Sequence, residues 1–279
     1  LKRRLGRTNF EASVLGFGGI AIQYQPWEEA VGVGKGASEL GVNLIDSARS
    51  YSDSEGKIGE AIKGQRENLF ISTKSHYSTG EEVRRSIDES LTHLGIDRLD
   101  LIFMHAVDQE EELERRLRNG VLDAMKDARR AGKVNYIGIS GHQNRVLVEA
   151  IRTGEFDVVM PIYNLANDDA QEELFPLASE MDVGIAVMKP LGGGYLGILP
   201  EVAQFGVAEK AISTAEEALR FVLSNQYIHT AVVGMGNIAE VEQNTPLGLF
   251  PQKMPPGELV RLKEKAASSG YTFCRGCGY

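Results

Sequence analysis

Cysteine is almost missing from this 279-residue chain, and the two that occur, Cys274 and Cys277, both fall in the last six residues. No disulfide framework can staple the body of the fold, so the core must stand on packing alone. Long apolar runs are missing too: no window approaches the roughly 18 apolar residues of a membrane span. The opening Leu1-Lys2-Arg3-Arg4-Leu5-Gly6 lacks the apolar segment of a secretory signal. No membrane association is expected, and the setting that fits is the cytoplasm. Basic charge is in deficit, with 30 Lys and Arg against 39 Asp and Glu and a net charge of −9. No basic stripe is present to neutralise a phosphate backbone, which argues against nucleic acid as a partner. Finally, no G-x-G-x-x-G opens a helix after the first strand, so a Rossmann dinucleotide site is not indicated.

What is present is a repeated alternation. At 42% hydrophobic content the chain can bury one large core, and an α/β barrel of about 250 residues fits as a single domain. Eight short β-branched runs predict strands: Val14 to Gly18, Val42 to Asp46, Leu69 to Thr73, Leu99 to His105, Val134 to Ser140, Val158 to Ile162, Gly184 to Met188 and Thr230 to Val233. Amphipathic stretches separate them, among them Glu81 to Leu94, Leu113 to Ala131 and Ala215 to Ser224. The expected fold is therefore a (β/α)8 TIM barrel. Residues 1 to 13 would form an N-terminal hairpin, and Lys253 to Ser269 a C-terminal helix. The domain reading is a barrel over 1–252 and a helix with a cysteine-bearing tail over 253–279.

Chemistry in such barrels sits at the carboxyl ends of the strands. Asp46, Lys74, His105 and Ser140 stand there, and Tyr51 lies five residues past Asp46. Taken singly, a lone charge at a strand end is more often a solvated or paired surface group. Together the residue types suit carbonyl reduction. A tyrosine hydroxyl with a free pKa of about 10 is a weak acid unless a cation stabilises its phenolate. Lys74 can supply that cation, Asp46 can hold Lys74 protonated and oriented, and His105 can hydrogen-bond the carbonyl oxygen.

Gly41-Val42-Asn43-Leu44-Ile45-Asp46-Ser47-Ala48-Arg49-Ser50-Tyr51, followed by Ser54-Glu55 and Gly59, resembles the signature of the aldo-keto reductase family. Ile71-Ser72-Thr73-Lys74 is similar to its lysine strand, and Asp100-Leu101-Ile102-Phe103-Met104-His105 to its histidine strand. The resemblance runs from about Leu5 to Leu247. It implies an oxidoreductase that moves a hydride between a nicotinamide dinucleotide and a small carbonyl or alcohol substrate. Its catalytic tetrad would be Asp46, Tyr51, Lys74 and His105, with Tyr51 as general acid. The cofactor would lie across the barrel mouth, near Gly19. Gly138-Ile139-Ser140 resembles the element whose Ser140 contacts the nicotinamide carboxamide, but where many members carry Asn the chain has Gly141 and then His142. Met160 stands where Gln is common on the sixth strand, and Met188 where an aromatic ring is usual on the seventh.

Lys189-Pro190-Leu191-Gly192-Gly193-Gly194 resembles the family's pyrophosphate loop, with Pro190, Leu191 and Gly193 as contacts and a cation that could assist; a plain turn is the bland alternative. Gly234, Gly236, Glu240, Gln243 and Asn244 belong to a segment similar to the one that grips the adenosine half. That segment holds no basic residue for a 2′-phosphate and carries Glu240 and Glu242, a repulsive neighbourhood for it. The cofactor expectation is NAD(H) or NADP(H), leaning to NAD(H). No metal is expected in the chain.

Cys274-Arg275-Gly276-Cys277 resembles the opening of a ferredoxin run, and some relatives carry such an iron-sulfur extension. Two thiols cannot hold a cluster, so a zinc half-site or two idle thiols stand beside that reading. The chain begins without Met and ends two residues after Cys277, consistent with a longer gene product in which an electron-transfer partner or domain would follow Tyr279. Two further functions remain open: a cofactor-binding regulatory barrel without significant turnover, and a lyase or isomerase on the same barrel. Ile22, Tyr24, Pro26 and Trp27 would form either an apolar substrate wall or rim packing. The compact stretch from Tyr195 to Ile212 suggests an open cleft.

Overall fold

The computed structural model describes residues 1–194, 196, 214–249 and 254–268. The chain opens with an antiparallel hairpin, β1 (Lys2–Arg4) against β2 (Glu11–Ser13), Lys2 facing Ser13. Eight parallel strands follow: β3 (Leu15–Gly18), β4 (Leu44–Asp46), β5 (Phe70–Ser75), β6 (Leu99–Met104), β7 (Val134–Ser140), β8 (Val158–Met160), β9 (Gly184–Val187) and β10 (Thr230–Gly234). They close in sequence order, with β10 pairing back onto β3. The fold is thus the expected (β/α)8 barrel with its N-terminal hairpin.

The helices are α1 (Trp27–Glu39), α2 (Ser54–Ala61), α3 (Gly80–Leu94), α4 (Glu110–Arg118), α5 (Val121–Arg130), α6 (Asn144–Arg152), α7 (Leu174–Glu180), α8 (Ala215–Ser224), α9 (Ile238–Leu249) and α10 (Pro256–Ser268). Local chemistry sets their ends. Thr79 caps α3 by accepting from the Glu82 amide at 3.4 Å, Val83, Ile87 and Leu94 bury one face, and Gly95 ends the helix at φ 63°. Thr214 and Glu217 form a reciprocal capping box on α8.

Two expectations need correction. Leu113 to Ala131 reads as one helix but forms α4 and α5, because Gly120 adopts φ 75° and Asn119 gives its carbonyl to the Gly80 amide. The sixth strand stops at Met160 rather than Ile162. Pro161 has no amide to donate, and Ile162 makes only an isolated bridge to Met188.

Two packed layers result. Inside the barrel, Leu44, Phe70, Leu101, Phe103, Val158, Met160, Ala186 and Val232 interleave. The hairpin closes the floor of that interior: Leu5 is fully buried in it, and Phe10 stacks 4.8 Å from Phe70. A second apolar layer fills the space between strands and helices. Among the described residues no helix is long and apolar enough to cross a membrane. Most of the Tyr195 to Ile212 stretch, the boundary at 252/253 and both cysteines lie outside the described residues.

Candidate active site

The mouth of the barrel gathers buried charge. Asp46 is the last residue of β4 and Lys74 the next to last of β5, both almost without solvent exposure. The two form a short ion pair, while Lys74 Nζ also donates to the Ser47 carbonyl at 2.6 Å and Ser72 Oγ donates to Asp46 Oδ1 at 2.8 Å. Burial pulls the Lys74 ammonium down and pushes the Asp46 carboxyl up, and the partners oppose those shifts by holding each other charged.

Tyr51 stands over this pair. Its ring centroid lies 5.0 Å from Lys74 Nζ, which places the cation against the π face. His105, the first residue after β6, meets Tyr51 edge-on at 6.0 Å between ring centroids. Burial, together with Lys74, His76, Arg116 and His142, holds the His105 pKa well below the usual histidine value, so the ring is neutral at pH 7. Its Nδ1 is buried without a hydrogen-bond partner among the described residues. Its carbonyl accepts from the buried guanidinium of Arg116 at 2.7 Å.

A cavity of about 440 Å³ opens beside these groups. Of the residues singled out from the sequence, Asp46, Tyr51, Lys74, Met160, Met188, Pro190, Leu191, Gly193 and Gly234 line it. His105 lies against Tyr51 at its edge. Ser140 is buried, and its hydroxyl accepts from the Ala106 amide at 3.2 Å. Gly19 has a packing reason of its own: a Cβ there would sit 2.5 Å from Ser54 Oγ, which donates to the Gly19 carbonyl.

The adenosine-like segment forms the start of α9. Glu240 folds back to accept from the Gly236 amide at 2.7 Å and from Asn237 Nδ2 at 2.9 Å. Asn244 is buried with Oδ1 unpartnered among the described residues, while Gln243 is exposed. The missing carboxamide-side Asn also has a structural cause. A Cβ on Gly141 would fall 2.3 Å from the Val107 carbonyl oxygen, so no side chain fits there without moving backbone.

Three supports escaped the sequence reading. Lys57 on α2 is fully buried and donates to the carbonyls of Ile22, Gln23 and Gln25 while pairing with Asp53 at 2.6 Å. It fixes the loop after β3, whose Ile20 and Ala21 line the cavity. Glu55 is buried beneath Arg49, Thr73 and Ser90. Asp108, His142 and Lys189 link three loops across the mouth. In sequence only the position of Lys57 among the apolar residues of α2 hints at such a role. Ser52, Ala106 and Lys189, next to or within the site, adopt positive φ without being glycine, as Asn9 and Asp182 do at the other end of the barrel.

The family model described as the aldo/keto reductase family matches residues 14–265. Among curated proteins, an L-galactose dehydrogenase of Arabidopsis thaliana is 28% identical over 276 residues, covering 87% of this chain and 86% of its own. A probable aldo-keto reductase of Glycine max is 30% identical over 213 residues, covering 70% and 60% respectively. Among solved structures, a putative aldo-keto reductase of Pseudomonas aeruginosa superposes with a TM-score of 0.74 at 26% identity, covering 89% of this chain and 94% of its own. The holo form of a Bacillus halodurans aldo-keto reductase superposes with a TM-score of 0.80 at 23% identity over 99% of both chains, a likeness of fold. The barrel, the residues at its mouth and these matches together make the chain a member of the aldo/keto reductase family, and an oxidoreductase.

Proposed function

We propose that the chain reduces a small carbonyl compound with a nicotinamide dinucleotide, using Tyr51 as proton donor. The observation that carries this reading is the buried Lys74–Asp46 pair packed against the Tyr51 ring at the edge of a mainly apolar cavity. The cation stabilises a developing phenolate in a site of low dielectric, which makes the tyrosine a usable acid near neutral pH. Asp46 and the Ser47 carbonyl hold that ammonium in place. The neutral His105 ring offers its N–H to the carbonyl oxygen and orients it. When bound, the cofactor supplies the hydride to the carbonyl carbon; Tyr51 gives its proton to the oxygen, and water restores that proton after product leaves.

The residues fit such a cofactor. Met160 and Met188 give an apolar bed, Gly193 and Gly194 leave an open backbone beside it, and the buried Asn244 Oδ1 is an acceptor suited to an adenine amine. Within this proposal NAD(H) is preferred. Glu240 already occupies the Gly236 amide at the start of α9, so a 2′-phosphate would meet a carboxylate where it needs a donor.

Titration of the purified chain with NADH and with NADPH, read by cofactor fluorescence, tests both statements. Tighter NADH binding supports them, equal binding removes the Glu240 argument, and binding of neither overturns the reductase reading. The substitutions at Gly141, Met160 and Met188 favour a second reading, a cofactor-binding regulatory barrel. Cofactor binding without significant turnover would support it, whereas a turnover rate that Tyr51→Phe leaves unchanged would refute Tyr51 as the proton donor.

A further inference from the structure

Tyr51 stands in a turn between β4 and α2, and its neighbours Ser50 and Ser52 are exposed. Both ends of that turn are anchored. Before it, the Ser47 and Arg49 amides donate to the Ser72 and Lys74 carbonyls at 2.9 and 3.0 Å, so the chain follows β5 as far as Arg49. After it, the Ser54 amide donates to the Tyr51 carbonyl at 2.9 Å as α2 begins. A short ion pair between the Arg49 guanidinium and Glu55 Oε2 joins the two anchors across the base of the turn.

Glu55 is a buried carboxylate with both oxygens engaged. Its side chain is 1% exposed, Oε1 accepts from Thr73 Oγ1 and from Ser90 Oγ at 2.7 Å each, and Oε2 takes Arg49. The guanidinium also donates to His93 Nδ1 at 2.9 Å, on the last turn of α3. Thr73 precedes Lys74 on β5 and points to the opposite side of the strand. Lys74 meets Asp46 at the cavity, while Thr73 meets Glu55 behind it. One carboxylate therefore grips β5 one residue before Lys74 and, through Arg49, the turn that carries Tyr51. A buried ion pair of this kind is weak support for stability, because desolvation offsets its attraction. What it fixes is the placement of two elements relative to each other.

We propose that Glu55 and Arg49 are positioning residues for the reaction, holding the Tyr51 ring against Lys74. This inference rests on the reductase reading. Neither residue lines the cavity, so both act through Tyr51.

Three variants test it. Arg49→Met cuts the pair, Glu55→Gln removes the charge and keeps an acceptor for Thr73 and Ser90, and the double variant leaves no buried charge unpaired, which keeps the test open if a single variant folds poorly. With NADH and 4-nitrobenzaldehyde, kcat should fall by about 10- to 100-fold, the scale expected when a reacting group is displaced by roughly 1 Å. NADH affinity should stay unchanged, and Arg49→Lys should recover part of the loss. The pH profile of kcat separates positioning from a merely structural role. Reduction needs the protonated phenol, and the Lys74 ammonium 5.0 Å from the ring centroid favours the phenolate. A turn that drifts from Lys74 should move the alkaline limb to higher pH.

An unmoved alkaline limb in variants that melting curves show to be folded would overturn the proposal, whatever happens to kcat. Weakened NADH binding that accounts for the whole loss would overturn it too, by assigning the pair to the cofactor. If the unaltered protein neither binds NADH nor turns over, the reductase reading falls on that result alone. Ultraviolet titration then reads Tyr51 directly, as the phenolate signal that Tyr51→Phe removes: ionisation at higher pH in the double variant supports the positioning role, and ionisation at the same pH refutes it.

Discussion

The two ends of this barrel treat polar groups in opposite ways. At the floor, charge is spent on the fold. Arg3 donates to the carbonyls of Leu223, Asn225 and Ile228, Arg4 pairs with Asp182, and Leu5 plugs the interior below Leu44, Phe70 and Val158. At the mouth, Lys74 and Asp46 are buried against a cavity, and the His105 ring leaves a nitrogen without a partner among the described residues. Such an arrangement costs stability and persists where it serves chemistry. The difference predicts that substitutions at the mouth remove activity with little loss of fold, and substitutions at the floor do the reverse.

The largest effect expected is at Tyr51. Tyr51→Phe removes one hydroxyl and keeps the ring over Lys74, so kcat should fall by about 10² to 10⁴ with NADH binding retained. Its melting temperature should stay within a few degrees of the unaltered protein's, as about 1 kcal/mol moves a domain of this size by roughly 2–4 °C. A large stability loss would blur the division between the two ends. Lys74→Met tests where that division stops. It strands the Asp46 carboxylate in the interior, and breaking a buried pair in this way costs about 3–5 kcal/mol, so turnover and stability should fall together. Replacing both partners, as Lys74→Met with Asp46→Leu, should recover stability and not activity. Leu5→Ala is the counterpart at the floor. It should cost about 2–5 kcal/mol in urea unfolding and leave kcat and KM of the folded protein unchanged, since Leu5 touches only packing.

The same contrast explains what the sequence made legible. The strands announced themselves because their buried runs are β-branched and continuous, and Asp46, Tyr51, Lys74 and His105 could be placed because each falls at a strand end or a short step beyond it. Helix breaks and strand ends were less visible. Gly120 splits what periodicity reads as one helix, and Pro161 ends β8 early. Least visible were contacts that join distant loops. Nothing near Gly141 in sequence reveals that the Val107 carbonyl fills its side-chain space, or that Lys57 gathers three carbonyls of the loop after β3. Nor does the sequence reveal that Lys189 Nζ lies 3.2 Å from His142 Nε2.

The smallest expected effect separates the two ends by pH. His229, at the start of β10, accepts the Ile185 amide at 2.9 Å through Nδ1, and burial, then Arg3 and Arg4, lowers its pKa to about 4. In the unfolded chain its pKa is about 6.5, so below that pH the unfolded state binds a proton that the folded state refuses. The stability it contributes is therefore complete above about pH 6.5 and is lost as pH falls toward 4. Allowing for its partial exposure, a loss on the order of 1 kcal/mol by pH 5 is expected. Urea unfolding at pH 7, 6 and 5 measures it, and His229→Asn should flatten the slope while leaving the pH dependence of turnover unchanged. His105 at the mouth has the same sign of shift, so a residual slope in His229→Asn is expected. If that slope also disappeared in His105→Asn alone, the pH sensitivity of the fold would belong to the mouth, and the division of labour argued from the floor would be wrong.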